Sequence, residues 1–151
     1  MSVTVKDKVW RDLVKRLKSK SYVKVGVLAA KGGNAQHLGD GITISELAAI
    51  HELGLGVPRR SFIKDGIEKN ERKLQPVVAK LAKKVIEGMP LDQALGILGV
   101  VGADTIKNYV KLGAHVPPPL SDKTVNAKGS TRPLVDKGPL INSVTYEVVK
   151  R

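Results

Sequence analysis

Apolar side chains recur at every fourth position near the start of the chain: Val5, Val9, Leu13 and Leu17, flanked by Trp10 and Val14. That spacing predicts an amphipathic helix to about Lys18, opened by Thr4 with Asp7 three residues on. Lys8, Arg11, Lys15 and Lys18 fall on its polar side. Residues 22–29, YVKVGVLA, are short and β-branched and read as a strand. AKGGN follows with turn chemistry, and QHLGDG, 36–41, reads as a mobile loop. Thr43-Ile44-Ser45-Glu46 is a capping box that opens a short helix, with Ile44, Leu47, Ala48 and Ile50 on one side and Gly54 as its C-cap. His51 and Glu52 then sit in its last turn, and GLGVP is its exit. Ser61 is placed to cap the next helix. Ile63, Ile67, Leu74, Val77, Val78, Leu81 and Val85 keep the helical period to about Glu87, with Pro76 expected to kink the helix or split it in two.

Residues 91–112 predict a further helix with Leu91, Leu95, Leu98, Val101 and Ile106 as its stripe. Gly96, Gly99 and Gly102 lie on nearly one face of it. Each costs about 1 kcal/mol inside a helix, so close approach of another helix is the expected compensation. Residues 114–133, AHVPPPLSDKTVNAKGSTRP, predict a long extended loop or arm, stiff at its triple proline. A turn at DKGP leads into a strand from about Leu140 to Val149. The pattern defines an α+β class within one domain spanning 1–151: a small antiparallel sheet packed against several helices, with the 114–133 arm inside it. Two strands make a marginal sheet, so further strands are expected from the long loop or a neighbouring subunit.

Composition changes this picture in two ways. Only 3% of residues are aromatic, so the core is built from Val, Leu, Ile and Ala. The formal charge is +12, from 26 basic and 14 acidic residues. Residues 1–24 hold eight Lys/Arg against two Asp, and 58–84 hold nine against three acids. Such an excess implies an anionic partner, or merely solvated lysine faces. With so few aromatics, base stacking on single strands is not expected, and any DNA contact is to phosphates. The absence of cysteine excludes disulfides and thiolate ligands and fits a reducing cytosol. The N-terminal stretch is charged within a few residues, so no signal peptide is read, and no apolar run is long enough for a membrane span.

Catalytic chemistry is hard to assemble. His37, His51 and His115 form no HxxxH or HExxH pattern. His51 and Glu52 are adjacent on a helix and point in different directions. No GxSxG elbow supports a triad, AKGGN lacks the P-loop spacing, and GxxGxxG is not the dinucleotide fingerprint. The acid pairs Asp65/Glu68 and Glu68/Glu71 lie among lysines and read as surface ion pairs. No enzyme, metal or cofactor is expected. Arg59 and Arg60 either clamp phosphate or pair with an acid on a neighbouring subunit.

Two segments together carry a resemblance. Residues 47–64, LAAIHELGLGVPRRSFIK, and 128–144, KGSTRPLVDKGPLINSV, resemble the neck and tail-completion proteins of tailed bacteriophages. In the first segment Glu52, Gly54, Pro58, Arg60, Ser61 and Phe62 match that family's pattern; in the second, Pro133, Leu134, Asp136, Gly138, Leu140 and Ser143 do. Leu53 departs where the family has an aromatic, Lys137 where it has Thr, and Pro139 is unusual. The resemblance spans about residues 22–149. It implies a non-enzymatic virion structural protein, assembled in the host cytoplasm and located at the head–tail junction. It would form a homo-oligomeric ring, hexamer or dodecamer, or cap the tail tube. Its partners would be further copies of itself, the neighbouring head-closure or adaptor and tail-tube proteins, and DNA passing through the channel, with no membrane. Interface positions are then Glu52, Arg59, Arg60, Phe62, Pro117, Pro118, Pro119 and Arg132. Phe62 anchors in the domain core or in a neighbour's pocket. Lys15, Arg16, Lys80 and Lys83 are the candidates to face DNA. The alternative is a non-specific duplex-DNA-binding protein.

Overall fold

The structure is a computed structural model that describes residues 4–31, 33, 35, 41–112, 118–128 and 138–150. It is α+β. In chain order the elements are α1 (Thr4–Leu17), β1 (Tyr22–Val27), a 3₁₀ turn (Ala29–Lys31), α2 (Ile44–Leu53), α3 (Phe62–Glu68), α4 (Glu71–Ile86), α5 (Leu91–Lys111), α6 (Asp122–Lys128), α7 (Pro139–Asn142) and β2 (Val144–Val149). β1 and β2 pair antiparallel, with Val23 opposite Val148, Val25 opposite Tyr146 and Val27 opposite Val144. The face carrying these residues lies on α5, the long helix around which both strands, α3, α4 and α7 are arranged.

The main core joins Phe62, Ala103, Ile106, Val110, Leu140, Ile141 and Val144, all with under a tenth of their surface in water. A second cluster, Leu81, Val85 and Ala94, closes the α4–α5 hairpin. α2 begins with the capping box read from the sequence: the Glu46 backbone N–H donates to the Thr43 hydroxyl, and the Thr43 N–H donates to the Glu46 carboxylate at 2.8 Å. Hydrogen bonds from the Thr43 hydroxyl, then its backbone, hold the Glu46 carboxyl below its ordinary value. Among the described residues no helix is long and apolar enough to cross a membrane.

Four expectations need correction. The helix over 61–87 does split, but at Lys69-Asn70. The Asn70 amide donates back to the Gly66 carbonyl at 2.9 Å and closes α3, while the Asn70 carbonyl accepts from Lys73 and Leu74 and starts α4. Pro76 is carried inside α4. Among the described residues the sheet, not another helix, makes the close approach to the glycine stripe of α5. A Cβ on Gly99 would collide with the Tyr146 ring, and one on Gly102 would come within 3.2 Å of Val25. Gly96 faces open space. The 114–133 arm is not extended throughout, because Ser121 opens the short α6 through a hydrogen bond from the Thr124 N–H at 3.4 Å. The last strand starts at Val144, not Leu140. Gly138 adopts φ +80° and Pro139 sits at the first helical position, so 139–142 form a helical turn instead. The expected 36–41 loop falls, apart from Gly41, outside the described residues.

Candidate functional site

The segment 51–66 is a joint between α2 and α3, and Glu52 organises it. α2 ends where Gly54 turns left-handed at φ +76° and gives its N–H to the Ile50 carbonyl. A side chain there would also press to 2.8 Å from the Arg59 Cβ, so the position excludes Cβ on two grounds. The chain then doubles back, and the Arg60 N–H donates to the His51 carbonyl at 2.7 Å. The Glu52 carbonyl accepts from the Arg59 Nε at 3.1 Å and from the Ser61 hydroxyl at 3.2 Å. Its carboxylate accepts from the Ile63 and Lys64 backbone N–H groups, each at 3.0 Å. Ser61 makes no side-chain cap, contrary to expectation. Its hydroxyl is occupied by Arg59, at 2.8 Å, and by the Glu52 carbonyl. Glu52, held in the last turn of α2, supplies the cap of α3 with a full negative charge, which suits the positive end of a helix.

The two arginines divide. Arg59 is exposed and stays within the joint. Arg60 is 6% exposed. Its Nε donates to the Pro118 carbonyl at 3.2 Å, and its two terminal nitrogens donate to Pro119 at 3.5 Å and Pro58 at 3.4 Å. A proline run offers carbonyls and no N–H. A guanidinium fork is suited to such a run, since its donors are spread in a plane and never lose their charge. Arg60 thereby fastens the start of the 114–133 arm to the joint. Phe62, at 1% exposure, anchors in the core of its own chain. Pro117 and Arg132 lie outside the described residues, as do His37, His115 and most of the second resemblance segment.

Lys15, Lys80 and Lys83 are exposed, and Lys83 makes a long 3.8 Å pair with Glu87. Arg16 is different. It donates to the Val85 carbonyl at 3.4 Å and so ties α1 to the C-terminal end of α4, where Lys83 and Lys84 lie. Parts of the two basic stretches, at Lys15-Arg16 and Lys83-Lys84, therefore lie near each other. Lys69 has its pKa raised by hydrogen bonding to the Tyr109 hydroxyl at 2.8 Å, then by Asp65 at 3.0 Å; this is a structural bracket between α3 and α5. Among the described residues no cluster of His, Asp or Glu is placed to hold a metal.

The sequence reading did not identify two surface features. Val9 and Trp10 of α1 are 68% and 65% exposed. An apolar groove of about 720 Å³ lies open between β1, α4 and α5. The helical stripe around Val9 was legible, but that it stands exposed among the described residues was not. In comparisons with known proteins, no family model, no curated protein and no solved structure matches this chain.

Proposed function

We propose that this chain is a bacteriophage virion structural protein of the head–tail connector, a neck or tail-completion protein that assembles as a ring or caps the tail tube. The observation that carries the reading is the union of its two resemblance-bearing segments. Phe62, from the first, shares one core with Leu140, Ile141 and Val144, at the end of the second. Residues spaced as in the phage proteins are thus used together, as parts of one scaffold. Val9 and Trp10, adjacent on α1 and exposed, add support as an apolar surface suited to a neighbouring protein. The joint itself spends its polar groups on holding backbone, which suits assembly better than catalysis.

Two measurements test this. Mass spectrometry of purified particles from cells expressing this chain should detect it at a stoichiometry of several copies per virion. Disruption of its gene should leave filled heads and separate tails. Its absence from particles that still join head to tail would sink the proposal.

One observation favours the second reading, a non-specific duplex-DNA-binding protein. The contact between Arg16 and the Val85 carbonyl sets the last turn of α1, with Lys15, beside the last turn of α4, with Lys83 and Lys84. A ring whose lumen passes DNA and a free DNA-binding protein both use such a face. They separate on whether affinity for free duplex is tight or weak.

A further inference from the structure

We infer that the apolar groove between β1, α4 and α5 receives α1 from a second copy of this chain. The groove is lined by Val23 and Val25 of β1, Ile67 of α3, Leu74 and Val78 of α4, and Leu98 of α5. Val78 and Leu98 also line a second apolar hollow of about 230 Å³ between α4 and α5, so the trough continues along the helix pair. Several of its walls stand in water; Val78 is 46% exposed.

α1 supplies what the trough lacks. Val9 and Trp10 carry its exposed apolar surface, and Leu13 and Val14 follow one turn later on the same side. Burying such side chains is favourable, so a helix left standing in water is half of a contact. The helix of the same chain does not fill the groove. Among the described residues none of α1 lines either hollow, and Val9 and Trp10 stay 68% and 65% exposed in their own chain. Charge selects the partner. Residues 4–18 hold six Lys/Arg against two Asp, whereas the groove lining holds Glu68 and Glu71 and no basic residue. Glu68 meets Lys64 only at 3.8 Å, with both side chains more than half exposed, a pairing worth little and readily exchanged.

An amphipathic helix laid in a groove is a common recognition mode. Helix and groove are different surfaces of one chain, so the contact is head-to-tail and repeats from copy to copy. It closes into a ring if the rotation allows. The inference rests on the ring reading above and names the contact that would build it.

The chain has no cysteine, so engineered thiols report only on each other. Val9→Cys and Ala79→Cys, both at exposed positions, are made as separate proteins and mixed under mild oxidation. The expected product is a disulfide-linked heterodimer absent from either protein alone, and a ladder of multimers from the double variant. A double variant that gives only an internally linked monomer would place α1 in its own groove and overturn the inference. So would cross-links confined to Val9→Cys with itself, or no cross-link. In the same background Trp10→Ala, and separately Glu68→Lys with Glu71→Lys, should lower heterodimer yield by about tenfold or more; unchanged yields would overturn it too. Native mass spectrometry of the unaltered chain separates the two levels. An oligomer without the cross-link defeats this contact and leaves the ring standing. A monomer without the cross-link defeats both.

Discussion

Glu52 lies in the last turn of α2, yet its carboxylate serves α3 by accepting two backbone N–H groups at 3.0 Å. Removing a side chain that caps a helix costs about 0.5–2 kcal/mol. Glu52→Ala should therefore destabilise the fold by that amount, while Ser61→Ala should cost less than about 1 kcal/mol, because its hydroxyl caps nothing. Urea unfolding of the two variants checks the order. Equal losses, or a larger one for Ser61→Ala, would refute the assignment of the cap. From the sequence Ser61 looked like the cap because Ser is a common N-cap and precedes an apolar run. What that reading could not see is the doubling back at Gly54 and Gly56, which carries Glu52 to the start of the following helix. Arg60 follows the same logic. Its charge suggested an anion, and its partners are the carbonyls of a proline run far along the chain, reached only because the fold returns there.

Helix α5 holds three glycines at a spacing of three, and the sheet accounts for two of them. Gly99 and Gly102 admit Tyr146 and Val25, while Gly96 has nothing within 4 Å of a would-be Cβ. The two kinds of site respond oppositely to the same change. Gly99→Ala should destabilise by about 1–3 kcal/mol, since the tyrosine must leave its position in a packed layer. Gly96→Ala should stabilise by about 0.5–1 kcal/mol, the ordinary helix preference for alanine. Thermal unfolding measured side by side decides it, and a stabilising Gly99→Ala would contradict the packing. The stripe itself was legible in the periodicity. What approaches it was not, because the partners are strands from opposite ends of the chain whose register depends on long-range pairing. α2, α5 and β1 could be read closely because capping box, C-cap glycine and β-branched run are local signals. α6 and α7 sit where prolines and polar residues mask short helical turns, and the break at Asn70 depends on a side-chain bond that no period encodes.

Charge is the property that no single element explains. The two basic stretches cross several elements, and parts of them meet where Arg16 of α1 bonds to the Val85 carbonyl beside Lys83 and Lys84 of α4. In a connector ring this face is expected to meet DNA loosely, through phosphates, with release favoured over affinity. Arg16 is a poor residue with which to test this, because its reversal also detaches α1. Lys15, Lys80 and Lys83 are exposed and cleaner. Reversing these three to Glu should leave far-ultraviolet dichroism and assembly unchanged. It should also flatten the dependence of log K on log salt by about 0.9 for each phosphate contact removed. The unaltered chain should bind free duplex only weakly, in the range of about 10⁻⁴–10⁻⁶ M that non-specific contact gives at physiological salt. Nanomolar binding by the isolated chain would move the assignment to the free DNA-binding reading. An unchanged salt slope would mean that these lysines are a solvated face, and that any DNA contact in the proposed ring is made by other residues.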